Sequence, residues 1–148
     1  MKELISKLLT TNAGWGITLV RVVTGIVFMM HGSQKLFGAF GGGGIDGTAG
    51  YMASLGLEPA ILMAFLAGTG EFFGGLFLVL GLLTRFAAVA TAMVAVVALL
   101  TVHINNGFFM SNNGFEFILI LLVNSLALIV AGSGKFGLDK EIYNNIGK

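Results

Sequence analysis

His31, Gln34 and Lys35 close a long apolar run in the stretch MMHGSQKLFG, residues 29–38. One helical turn separates the imidazole from the amide and the ammonium, so on a helix all three share a face. The imidazole can carry a proton near neutral pH, the amide can donate and accept hydrogen bonds, and the ammonium can steady developing negative charge. His103 and Glu116 stand at the ends of other apolar runs, while Arg21 and Glu71 stand inside such runs. An ionisable group within a membrane span costs about 2.5–3.5 kcal/mol on insertion scales, so each needs a partner or a task. The set could transfer protons, hydrogen-bond a carbonyl-bearing ligand, or ligate haem or a metal ion.

Membrane-crossing helices are the elements that must hold these groups. Of 148 residues, 56% are apolar and 10% charged, where soluble domains carry about 25% charged. Segments near 14–37, 59–83, 86–105 and 115–132 are each apolar over roughly the 20 residues a bilayer crossing needs. The expected fold is therefore all-α, a single integral membrane four-helix bundle over residues 1–148. Lys2, Lys7, Arg85, Lys135, Lys140 and Lys148 fall on one side of such a bundle and Lys35 on the other. That asymmetry predicts cytoplasmic termini and a multi-pass protein of the inner (cytoplasmic) membrane. Arg21 interrupts the first apolar run and no small-residue cleavage site comes after it, so this run is read as a retained span. Zero cysteines exclude a thiol redox couple or thiolate metal site within the chain. The net charge of +1 argues neither way on nucleic acid, but the composition leaves no basic groove and excludes that class.

Local signals refine the picture. Asn12 is the expected cap of the first helix, Trp15 an interfacial residue, and Pro59 a first-turn residue of the second helix. GAFGGGGIDGTAG reads as a flexible loop; its formal GxGxxG has no strand before it. In the second helix Gly68, Glu71 and Gly75 share one face beside Gly70 and Gly74, a pattern that brings helices close. Ala88, Ala92, Ala95, Leu99 and His103 form a stripe on the third helix, and Asn124 is expected to bond a neighbouring helix. GSGKFGLD reads as a helix stop followed by a basic interface anchor. At 1.5 Å per residue, His31, His103 and Glu116 each lie about 25 Å from the cytoplasmic ends of their helices, at one shared level. Gln34 and Lys35 would close the mouth of the cavity those three enclose. Arg21 and Glu71 are close enough in height for a structural ion pair; in the alternative, Glu71 faces the His/Glu layer and relays its protons.

HGSQKLFG at 31–38, GTGEFFGGLFLVLGLLTR at 68–85, His103 with GFF at 107–109, GFE at 114–116 and GSGKFGLD at 132–139 resemble the pattern of the DoxX family of small four-span proteins. The last motif departs from that pattern at Ser133 and at Phe136-Gly137. The resemblance implies a membrane-embedded redox role, since members or close relatives are associated with thiosulfate:quinone oxidoreductase and with oxidant-defence complexes. The leading expectation is a redox-complex subunit binding a quinone, ubiquinone or menaquinone, in the outer half of the bundle. His31 or His103 would bond a quinone carbonyl, Glu116 or Glu71 would carry protons, and Gln34 and Lys35 would complete the binding set. Electrons would come from a soluble or membrane redox partner. The alternatives are a haem b held by His31 and His103, a metal ion held by those two with Glu71 and Glu116, and a non-catalytic scaffold or small-solute carrier, the last requiring a homo-oligomer.

Overall fold

The computed structural model describes residues 14–146, so the expected cap Asn12 and the charges Lys2, Lys7 and Lys148 lie outside the described residues. Long runs of Leu, Val, Ile, Phe and Ala without interior proline form α1 (Trp15–Phe37), α3 (Ala60–Leu80), α4 (Thr84–Ala98) and α5 (Glu116–Ala131). Two shorter helices, α2 (Gly44–Ser54) and α6 (Leu138–Ile146), complete the set, and the described residues contain no strand. Gly38 ends α1 in the left-handed region (φ 68°) and donates its N–H to the Ser33 carbonyl. Pro59 stands at the N-cap of α3, one place before its expected position, and the Glu58 carboxylate accepts the Ala60 N–H at 2.8 Å.

α1 and α3 are long and apolar enough to cross a membrane. So is the rod Thr84–Asn106, which extends α4 through a π turn at Leu99–His103 and a short 3-10 turn. α5 is a shorter apolar helix of 16 residues. The all-helical membrane bundle expected from hydropathy is what the chain forms.

α1 and α3 run antiparallel along a seam of glycines. A Cβ at Gly25 would lie 2.7 Å from the Gly75 carbonyl oxygen, one at Gly32 would overlap the Phe72 backbone, and one at Gly68 would meet the Leu36 side chain at 2.6 Å. The other face of α3 meets α4: Gly74 approaches Thr91 and Ala87, and Gly70 approaches Val94. α3 is central because small residues line both of its faces. α4 and α5 are tied by the Thr91–Ser125 hydroxyl pair at 3.0 Å, and α1 and α5 by the Asn124 amide, which donates to Thr24 Oγ1 at 3.2 Å. Apolar layers of Leu78, Ala87, Ala88 and Leu128, and of Phe28, Ala95 and Leu121, fill the interior. Leu19, Phe65, Met93 and Val130 point outward, as bilayer contact requires.

Two local expectations are corrected. The glycine-rich segment is not a loop throughout: from Gly44 it coils into α2, because Ala49 and Met52 bury against Ala64 of α3. That burial outweighs the entropic cost of helical Gly47 and Gly50, about 1 kcal/mol each. The α4 stripe also does not run through to His103. Ala88, Ala92 and Ala95 are buried, but the π turn inserts one residue, which rotates the later part of the rod by about 100°.

The bundle has distinguishable ends. At the near end Trp15 stacks on Phe136 (centroids 4.7 Å) with Lys135 Nζ 5.4 Å over the indole, while the Lys135 N–H donates to Thr18 Oγ1. At the far end lie α2 and the turn over 104–115.

Candidate functional site

In the far half of the bundle Lys35 Nζ donates to Glu71 Oε2 at 2.6 Å. The glycine seam makes this contact possible: with Gly68 and Gly75 holding α3 against α1, a side chain between them on the same face must meet α1 directly. The Glu71 side chain is 9% exposed and that of Lys35 27%, so the pair is anchored inside and opens at its lysine end. A carboxylate buried this deeply survives as an ion only with a close countercharge. The α2 hydroxyl of Thr48 donates to the Lys35 carbonyl at 3.3 Å, which fixes the short helix beside the pair.

His31 stands one turn before Lys35 on the same face, half-buried, with the Gln34 amide beside its ring. Its imidazole lies 6.4 Å from the Phe117 ring of α5, centroid to centroid. An imidazole, an amide, an ammonium and a carboxylate thus occupy one region, with the Phe117 ring beside the imidazole. Such a group can bond both donors and acceptors of a flat apolar ligand and can pass a proton along its length.

Arg21 does not pair with Glu71. Its guanidinium donates to the carbonyls of Leu78 (2.5 Å), Val79 (3.0 Å) and Phe136. Its charge is offset by Asp139, which is 2% exposed. The physical reason is reach: α3 runs antiparallel to α1, so the residues level with Arg21 are 78 and 79, and Glu71 is level with Lys35. GSGKFGLD is accordingly more than an anchor. It lays Phe136 against Arg21, and the Asp139 carboxylate accepts the Leu83 and Thr84 N–H groups at 2.6 and 2.9 Å, capping α4 from 55 residues away. Sequence patterns did not single out Asp139; the signal that could have found it is a carboxylate in the first turn of a terminal helix, opposite a buried arginine lacking a countercharge.

His103 and Glu116 serve the far-end turn. His103 Nδ1 bonds the Asn113 carbonyl at 2.8 Å, which requires the proton on Nδ1, and Asn106 donates to the same carbonyl at 3.3 Å. Glu116 Oε1 accepts the Met110 N–H at 2.6 Å. His31 groups with Gln34, Lys35 and Glu71 on α1 and α3, while His103 and Glu116 brace the turn over 104–115. Among the described residues no three His, Asp or Glu side chains converge as metal ligands, so the metal site of His31, His103, Glu71 and Glu116 is not assembled.

The Lys35–Glu71 contact makes a direct prediction. Lys35→Ala leaves a buried carboxylate unpaired and is expected to lower stability by about 2–3 kcal/mol, and Lys35→Met/Glu71→Met together by less than either single change. Thermal unfolding of detergent-purified Lys35→Ala, Lys35→Met, Glu71→Met and the double variant checks it; additive effects of Lys35→Met and Glu71→Met would disprove the coupling.

Comparison with known proteins agrees with the motifs. The sequence profile of the DoxX family matches residues 16–104. A Bacillus subtilis (strain 168) protein named "Putative oxidoreductase CatD" is 34% identical over 128 residues, covering 86% of this chain and 87% of that protein. An uncharacterised protein of Haemophilus influenzae is 28% identical over 134 residues, 86% of this chain and 90% of its own. No solved structure matches. The profile spans α1, α2, α3 and most of the α4 rod, the elements that build the Lys35–Glu71 site, and the chain belongs to the DoxX family of multi-pass membrane proteins.

Proposed function

We propose that this protein is the membrane subunit of a redox complex and binds a quinone or quinol in the far half of its bundle, against His31, Gln34, Lys35 and Glu71. The observation that carries this reading is the Lys35–Glu71 ion pair held beside a half-buried imidazole in an otherwise apolar surround. A quinone head group is flat and apolar with two acceptor carbonyls. Its reduction takes up protons as well as electrons, so it needs donors on a proton-carrying chain. In this reading His31 and Gln34 bond one carbonyl, Lys35 steadies the charge that develops on reduction, and Glu71 exchanges protons with Lys35 and His31. The name of the Bacillus subtilis relative supports an oxidoreductase role. With no cysteine in the chain, electrons enter from a soluble or membrane partner. The near end, where Arg85, Lys135 and Lys140 gather, faces the cytoplasm of an inner-membrane protein.

Detergent-purified protein titrated calorimetrically with a short-chain ubiquinone or menaquinone analogue tests the reading. The expected outcome is saturable binding, weakened about tenfold or more by His31→Ala, the loss of one hydrogen bond to a ligand being worth about 1.4 kcal/mol. His103→Ala should bind as the wild type does. Absence of binding, or a His31→Ala variant indistinguishable from wild type, overturns it. A haem band in the reduced-minus-oxidised spectrum of the same sample would replace the quinone with haem b.

A further inference from the structure

Arg21, Thr24, Phe28, His31 and Lys35 succeed one another on α1 at steps of three and four residues, which keeps them on one inward stripe. The stripe holds two polar clusters with an aromatic ring between them. In the near cluster Arg21 bonds the carbonyls of Leu78, Val79 and Phe136, and Thr24 accepts from Asn124. Its way out is closed: Arg21 and Asp139 are each 2% exposed and Ser133 1%. The chain at Gly81 and Gly137 is also pressed so closely over the guanidinium that a Cβ on Gly81 would lie 2.6 Å from Gly137 Cα. In the far cluster the Lys35 side chain is 27% exposed while that of Glu71 is 9% exposed.

Between the clusters, Phe28 is 2% exposed and packs with Ala95 of α4 and Leu121 of α5, ringed by Val27, Phe117, Ile118 and Leu122. None of these side chains offers a hydrogen bond. A water in such a layer would lack the polar partners a buried water requires, so no file of water or protons bridges it. On the far side of the layer the first polar group is His31; on the near side these are the Thr24–Asn124 bond and the Thr91–Ser125 hydroxyl pair.

We infer that the His31–Lys35–Glu71 site exchanges water, protons and polar solutes with the far side of the membrane alone, and that Phe28 is the seal closing it off from the near side. This sidedness comes from where the site lies and holds whatever the site binds. A ligand there that takes up or releases protons draws them from or delivers them to one compartment. Phe28 acts as a positioning residue for that sidedness and touches no ligand.

The absence of native cysteine makes the test clean, because each introduced thiol is the sole target of a charged, membrane-impermeant methanethiosulfonate. Gln34→Cys and Thr24→Cys are labelled in sealed membrane vesicles of each orientation, with a C-terminal tag marking the near side. Gln34→Cys is expected to react from the far side at least about tenfold faster than from the near side, and Thr24→Cys to resist both, since a desolvated thiol stays protonated and unreactive. Adding Phe28→Ala should make Thr24→Cys reactive from the far side. Near-side labelling of Gln34→Cys, its protection from both sides, or Thr24→Cys labelling as fast as Gln34→Cys with Phe28 intact overturns the inference. So does a folded Phe28→Ala background that leaves Thr24→Cys unchanged; if that variant does not fold, the two single-cysteine proteins decide. The readout is independent of quinone titration, so failure of one leaves the other standing.

Discussion

Asp139→Ala should destabilise the bundle by about 3–5 kcal/mol, the cost of removing one member of a buried charge arrangement and leaving the other uncompensated. Its carboxylate does two jobs. It accepts the Leu83 and Thr84 N–H groups at the start of α4, and it offsets the buried charge of Arg21. Either loss strands a buried polar group, the Thr84 N–H or the Arg21 guanidinium, on residues 0% and 2% exposed. Asp139→Asn keeps an acceptor oxygen and the side-chain volume while losing the charge, and is expected to fall between Asp139→Ala and wild type. Glu141→Ala, two residues on and exposed, serves as the control and should be neutral. Thermal unfolding in detergent, tracked by circular dichroism, gives the order directly; Asp139→Ala melting with Glu141→Ala would show that the C-terminal segment is not a structural latch.

Gly32→Val is expected to have a comparable or larger effect, because α1 and α3 approach at that point through backbone alone. A Cβ there would overlap the Phe72 N and Cα atoms, and backbone cannot rotate aside as a side chain can. The helices would have to separate along the whole seam, which also pulls Lys35 from Glu71. A cost of about 3 kcal/mol or more is expected, with loss of folded protein in the membrane. Glycines elsewhere behave differently. Gly70→Ala would meet Val94 Cγ2 at 3.0 Å, a side-chain atom that can shift, and should cost about 1 kcal/mol at most. Gly47→Ala meets nothing within 4 Å and lies inside α2, so it should stabilise by about 0.5–1 kcal/mol. Yields and melting temperatures of the three variants should keep that ranking; a Gly32→Val protein as stable as Gly70→Ala would refute the close seam.

Arg21 and Lys35 mark how far the sequence can be read without tertiary structure. Arg21 declares itself as a charge inside an apolar run that needs a countercharge, and Lys35 as a charge that closes one. Their partners were not legible. Pairing Arg21 with Glu71 assumed that helix-height estimates would settle which groups meet, and an error of one or two turns in the relative offset of α1 and α3 suffices to swap Arg21 for Lys35. Asp139 was hidden for the same reason: nothing in LDKEIYNNI says that this segment folds back onto the starts of α1 and α4. α2 was hidden by composition, since helix propensity alone disfavours a segment with three glycines and only burial of Ala49 and Met52 reverses the balance.

Hydropathy, glycine spacing and the motif set determined by themselves that the chain is a helical membrane bundle of the DoxX family, that α3 lies at its centre, and that His31, Gln34 and Lys35 share a face. These come from local periodicities of 3.6 residues and from the bilayer's demand for apolar length, both written residue by residue. Tertiary structure alone decided that Glu71 belongs to Lys35, that Arg21 is held by Phe136 and Asp139, that a π turn takes His103 to the Asn113 carbonyl, and that Phe28 divides the polar stripe in two. Each of these depends on the axial offset or rotation of one helix against another. That offset is set by backbone contact at Gly25, Gly32 and Gly75, and no pattern within a single helix encodes it.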